Sequence, residues 1–169
     1  MFSVGIPPSS FKNTVVVSTY HDFSEDLIGS MKFLVQSING VDDDVRLTNR
    51  LYIPQSRLRG FNTYQVGPKD GDDYIGGNYI TTLSAEAQLP NFLPESYRTD
   101  VSVFLDTANI WGVDYNNSID ETDKMRSSVG VSANIFTTIG PLSFTFAQDI
   151  TKHASDATET FNFRLGTSF

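Results

Sequence analysis

Hydrophobic and polar residues alternate along most of the chain, and the last stretch, "TETFNFRLGTSF", shows it most clearly. Phe161, Phe163, Leu165 and Phe169 share one parity there, and Asn162, Arg164, Gly166 and Ser168 share the other. Successive side chains of a strand point to opposite faces, so the pattern predicts a two-faced β-strand. "LSFTFAQDI" repeats it, with Leu142, Phe144, Phe146 and Ile150 set against Ser143, Thr145, Ala147 and Asp149. In "SVGVSANIF" Val129, Val131, Ala133 and Ile135 oppose Ser128, Gly130, Ser132 and Asn134, and in "TDVSVFLDTANIW" Val101, Val103 and Leu105 oppose Ser102, Phe104 and Asp106. "NYITTLSAEAQL" sets Tyr79, Thr81, Leu83, Ala85, Ala87 and Leu89 against a more polar series containing Glu86 and Gln88. Two strands are legible upstream, "KNTVVVSTYHDF" and "LIGSMKFLVQSI", and the chain opens inside an eighth at "FSVGI". No stretch carries a helical period, so the expected class is all-β and antiparallel.

The connections separate the β architectures. In order they are "PPSS", "SED", the long segment 39–76, "NFLPESYR", "VDYNNSIDETD", "TIGP" and "KHASDA". The second, fourth and sixth are tight or modest, while the third and fifth are long. Short turns at one end and long loops at the other are the asymmetry of an outer-membrane β-barrel, with the short turns in the periplasm. A soluble antiparallel barrel or sandwich shares the alternation but has no reason to alternate its loop lengths. Its outer face would also carry Lys and Glu, whereas the polar series here is mostly Ser, Thr, Gly, Asn and Ala, which suits a lumen. Tyr79, Tyr97 and Trp111 near strand ends fit interfacial aromatic girdles.

Composition agrees. Only 19% of residues are charged, and Phe (13) and Tyr (7) are plentiful, as a protein with two faces of unlike polarity requires. The net charge is −8, with acidic groups bunched in "DDD" and "DGDD", so a nucleic-acid backbone is excluded as a partner. There is no cysteine, which removes disulfides and thiolate metal sites without fixing the compartment. No apolar run reaches the roughly 18 residues of a membrane helix, but a barrel crosses with strands of about 9–11 residues and a weaker signal. "MFSVGIPPSS" has neither a basic leader nor an apolar core, so an exported form is expected to have a start beyond this chain.

Five motifs in order then point to a family. "LRGF" follows the long loop, "IGGN" opens a strand reading "LSAEAQLP", and "VFLDTANIW", "SSVGVSANIFTTIGPLSFTFAQDI" and the ending "FNFRLGTSF" complete the series. Across nearly its whole length the chain resembles the C-terminal half of the barrel of BamA-type outer-membrane protein assembly factors, of the bacterial surface antigen superfamily. The resemblance implies a sixteen-stranded transmembrane barrel of which residues 1–169 supply roughly the last eight strands, with the periplasmic repeat domains and the first half of the barrel absent. It implies that segment 39–76 folds back into the lumen. It also implies a role in inserting β-barrel proteins into the outer membrane of a Gram-negative bacterium, an organelle being the lesser alternative. The partners would be outer-membrane lipid, unfolded barrel clients and assembly-complex lipoproteins, with no cofactor.

A lumenal loop has physical consequences. An eight-stranded barrel is filled by its own side chains, so a loop of this length demands a wider one. Part of a barrel also leaves two strand edges unpaired, expected here near Phe2 and at the strand ending in Phe169. Arg59, in a partly enclosed space, needs a partner. Glu86 and Asp106 lie on the polar parity of adjacent strands and match the positions that face this arginine in the family. A guanidinium fork engages one carboxylate in bidentate fashion and still reaches another, which an ammonium cannot imitate. Gly60 permits close backbone approach and Phe61 wedges against the wall. Arg59, Gly60, Phe61, Glu86 and Asp106 are therefore the candidate loop lock. Phe161, Phe163, Leu165 and Phe169 are the lipid-facing side of the last strand and, by the resemblance, the C-terminal targeting signal of outer-membrane barrels.

The remaining features point to no chemistry. His21 and His153 are isolated, and no nucleophile-elbow, metalloprotease or P-loop motif occurs, so an enzyme is not expected. "DDD" and "DGDD" lack the spacing of a calcium loop and read as solvated. Two other functions fit the same residues less well: a secretion or translocation pore of the same superfamily, and a soluble ligand-binding β-barrel.

Overall fold

A computed structural model describes residues 10–24, 27–41, 43–90, 99–119, 124–137 and 140–166. The strands among them are β1 (Ser10–Ser24), β2 (Leu27–Gly40), β3 (Lys69–Asp70), β4 (Asp73–Tyr74), β5 (Tyr79–Gln88), β6 (Thr99–Trp111), β7 (Arg126–Thr137), β8 (Gly140–Thr151) and β9 (Phe161–Leu165). There is no α-helix among the described residues. β1, β2, β5, β6, β7, β8 and β9 form one antiparallel sheet in that order, and β3 and β4 pair as a separate hairpin. Each long strand thus pairs with its neighbours in the meander, the low-cost topology for consecutive two-faced strands. All seven coincide with stretches whose period is two. "FSVGI", Phe2 and Phe169 lie outside the described residues.

The sheet is not closed: β1 and β9 are its two edges. Residues 25–26, 89–98 and 138–139 connect strands at one end, and 41–78, 112–125 and 152–160 connect them at the other. The long segment is displaced by two residues from the sequence reading, because β2 runs on to Gly40 and β5 begins at Tyr79. Within it, the acidic "DGDD" makes the β3–β4 turn, where Asp70 pairs with Asp73 and Gly71 takes φ +62°. Left-handed backbone at the tip is what a tight hairpin demands.

One face of the sheet is apolar and open. Val15, Val17, Met31, Phe33, Leu83, Val103, Leu105, Val129, Val131, Phe146, Phe161 and Phe163 are all exposed on it. So continuous an apolar surface on both sides of every strand pairing is a lipid-facing band rather than a water-facing one. At its long-loop end Tyr79 and Trp111, partners in the β5–β6 register, stack at 5.7 Å between ring centroids. Tyr97 lies outside the described residues.

Segment 41–78 covers the opposite face and makes a core with it. Val45, Leu51, Ile53, Leu58, Phe61 and Val66 from the segment bury against Leu34, Ile38, Ile80, Ala108 and Ile110 from the strands. Each large side chain so buried contributes about 1.5–3 kcal/mol. The expectation of a polar series on this face therefore needs correcting at one end. Ile80, Ala108 and Ile110 belong to that parity but lie beneath the segment, whereas further from the long loops the same face is Thr82, Ser84, Ser102, Ser128, Ser132 and Thr145.

Candidate functional site

The 3-10 turn Gln55–Arg57 drops the chain toward the sheet, and Leu58 and Phe61 on either side of Arg59 and Gly60 are each 1% exposed. These apolar anchors hold the arginine at a fixed depth on the wall. Phe61 also forms an antiparallel bridge with Thr158. Gly60 lies directly on β8: it adopts φ +88°, and a Cβ built there would stand 2.8 Å from the Cβ of Ala147. Both the backbone conformation and the space exclude a side chain.

The strands present the partners at two-residue spacing. Ser84 is opposite Asp106 and Glu86 is opposite Phe104, so the two carboxylates sit diagonally with the phenyl ring beside them. Arg59 Nε donates to Asp106 Oδ2 at 2.8 Å and Nη2 to Oδ1 at 2.9 Å, a bidentate pair, while the Arg59 amide donates to Oδ2 at 3.0 Å. Nη1 donates to Glu86 Oε2 at 2.9 Å. Glu86 Oε1 accepts from Ser102 Oγ at 2.6 Å, and Ser128 Oγ donates to the Arg59 carbonyl. The guanidinium carbon lies 3.6 Å from the Phe104 ring centroid. The Asp106 side chain is fully buried and that of Arg59 is 11% exposed, so every polar edge of the guanidinium meets an acceptor and its flat face meets a π surface.

The structure thus brings together Arg59, Gly60, Phe61, Glu86 and Asp106. Phe104, Ser102 and Ser128 complete the arrangement and were not singled out by the sequence reading. Phe104 had a signal, since it is an aromatic residue on the polar parity of its strand. The two serines had none, being indistinguishable from other small polar residues of that series.

Two further arginine–carboxylate pairs flank this one. Arg126, at the start of β7, donates from Nε and Nη2 to Asp156 at 2.9 and 3.0 Å, with both side chains fully buried. Arg50 of the long segment pairs with Asp114 after β6, which also accepts from the Val45 amide at 2.6 Å and from Asn78 Nδ2 at 3.1 Å. Burial pushes the Asp114 carboxyl up, but the Val45 amide, Asn78 and Arg50 outweigh it and hold the group below the usual carboxylate range.

Phe161, Phe163 and Leu165 occupy the exposed apolar face of β9, where Phe161 contacts Phe146 and Phe163 contacts Phe144, at 4.8 and 5.1 Å between centroids. His21 rests edge-on against Phe23, and His153 Nδ1 shares a 2.8 Å hydrogen bond with Ser155.

Comparison with known proteins places these features. The family profile described as the Omp85 superfamily domain matches residues 2–169. The chain is 28% identical over 128 residues to the outer membrane protein assembly factor BamA of Neorickettsia risticii, covering 74% of this chain and 17% of that protein. It is 27% identical over 139 residues to BamA of Neisseria meningitidis serogroup B, covering 66% and 17%. The crystal structure of Haemophilus ducreyi BamA lacking POTRA domains 1–3 superposes with a TM-score of 0.83 at 26% identity, covering 92% of this chain and 34% of that one. The chain thus spans about a sixth of the length of these curated relatives.

Proposed function

The chain belongs to the Omp85 superfamily, and on that premise we propose that it supplies the C-terminal wall of a BamA-type barrel, which assembles β-barrel proteins into the outer membrane of a Gram-negative bacterium without chemical catalysis. Similarity to the BamA proteins of two bacteria and to a BamA barrel supports the reading. Residues 41–78 lie in the lumen, and Arg59, clamped on Asp106 and Glu86, locks them to the wall. The observation that carries this is the bidentate pair with a fully buried carboxylate. A loop fixed by an ion pair, a π contact and a glycine seated on β8 holds strand order and barrel shape while clients are inserted.

The work itself is strand addition. β9 is an edge of the sheet among the described residues, and a strand added beside it gains main-chain hydrogen bonds while its apolar side chains face lipid. Phe161, Phe163 and Leu165 continue the lipid-facing band up to that edge. The partners are outer-membrane lipid and unfolded barrel clients, together with assembly lipoproteins.

Depletion of the protein from the membrane of its own cell tests the function. The folded fraction of other outer-membrane barrels, read by heat-modifiable migration, should fall. Normal barrel folding with loss of one secreted passenger would instead identify a translocation pore.

A further inference from the structure

Asp156 joins three parts of the molecule that are far apart in sequence. Its carboxylate takes the Arg126 guanidinium of β7 at 2.9 and 3.0 Å, the His153 amide of its own connection at 2.7 Å, and the Gly67 amide of the long segment at 3.3 Å. The charges are fully buried, so the group is held in place by all of these contacts at once. Around it, residues 152–160 are zipped onto the long segment. Asn62 N donates to Ala157 O at 2.9 Å, Ala157 N to Gln65 O at 3.0 Å, and Glu159 N to Gly60 O at 3.0 Å. The Glu159 carboxylate accepts from Gln55 on the segment and from Asn162 in β9, both at 2.9 Å.

β9 follows directly from this zipped stretch and pairs with β8 over Phe161–Leu165, and Ala147 N of β8 also donates to Thr160 O at 2.9 Å just before it. Its leading end is therefore held by β8 at Thr160 and by the long segment at Glu159. We infer that Asp156 is a positioning residue: with Arg126 and Gly67 it makes the arginine loop and residues 152–160 one rigid body, which fixes the register of β9 on β8. The clamp at Arg59 and the edge that receives a client strand are then mechanically coupled, since Gly60, next to the clamp, bonds Glu159 two residues before β9. The coupling itself needs no client, and only its bearing on insertion rests on the proposed function.

Amide hydrogen exchange on the full-length protein in lipid nanodiscs tests it. Asp156→Asn should speed exchange across residues 157–165 by about tenfold or more, because a buried charge pair is broken and the local unit loosens, while β5 and β6 keep their protection. Gln55→Ala, which removes only the contact to Glu159, should move the same residues in the same direction by less. If Asp156→Asn abolishes the heat-modifiable barrel, Gln55→Ala alone decides the matter. Unchanged protection of 157–165 in Gln55→Ala, or a change confined to residues 65–69 in Asp156→Asn, overturns the coupling whether or not the protein proves to be an insertase.

Discussion

The guanidinium carbon of Arg59 lies over the ring of Phe104, 3.6 Å from its centroid, while its nitrogens donate to Asp106 and Glu86. Phe104 therefore does for the cation what the carboxylates cannot: it covers one of the two flat faces that have no hydrogen to donate. The Asp106 carboxylate, two residues along the strand, is fully buried, and the low local dielectric strengthens the pair.

Replacing the ring by an aliphatic side chain of similar bulk isolates the π contribution. Phe104→Leu should lower the stability of the folded barrel by about 2 kcal/mol, the scale of a desolvated cation–π contact. The urea midpoint of the heat-modifiable band measures it. Phe163→Leu, on the lipid-facing side, should shift the midpoint less.

Charge alone does not make the clamp. Arg59→Lys retains the cation but loses the fork, and breaking a buried pair outright with Arg59→Ala is expected to cost about 3–5 kcal/mol. Lys should fall between wild type and Ala in the same urea titration. A Lys variant as stable as wild type would mean that bidentate geometry contributes nothing.

Gly60 is constrained in two ways that separate by mutation. Gly60→Ala should destabilise by about 1–2 kcal/mol for left-handed backbone, with a further cost of about 1–3 kcal/mol for crowding Ala147. Ala147→Gly in the same chain relieves the crowding alone, so the double variant should recover part of the loss and no more. Full recovery would show that φ +88° is not strained in this loop.

The Arg50–Asp114 pair gives the loop an acid limit. The folded carboxyl lies below its ordinary value, so its contribution is fully present above the unfolded pKa of about 4 and is lost as pH falls through the lower folded value. Exchange at the Val45 amide, which donates to Asp114, should therefore lose its protection and approach the intrinsic rate in that acid window. Asp114→Asn should abolish the inflection.

The seven strands of the sheet were legible because each alternates over enough residues for period two to stand out, and the alternation of loop lengths fixed which end is which. The tiny β3–β4 hairpin was not, since Lys69–Asp70 and Asp73–Tyr74 are too short to carry a period. Parity put Glu86 and Asp106 on one face, and the structure seats Arg59 on both. It could not show that Ile80 and Ile110, on the same parity, face an apolar underside, because Leu51, Leu58 and Phe61 reach them only through the path of the loop. Arg126 and Asp156 were invisible for the same reason. Each looks like an ordinary polar residue near a strand end until the folded loop brings them together and buries both.

The comparison of Arg59→Ala with Arg57→Ala at matched levels of folded protein bears most directly on the proposed lock. Arg57 sits two residues earlier, on the 3-10 turn, so it shares the loop's composition and charge without the clamp. The measurement is the rate at which newly made outer-membrane barrels acquire heat-modifiable migration in cells that depend on each variant. Arg59→Ala should slow it several-fold and Arg57→Ala should leave it close to wild type. Equal effects of the two substitutions would contradict a lock centred on Arg59.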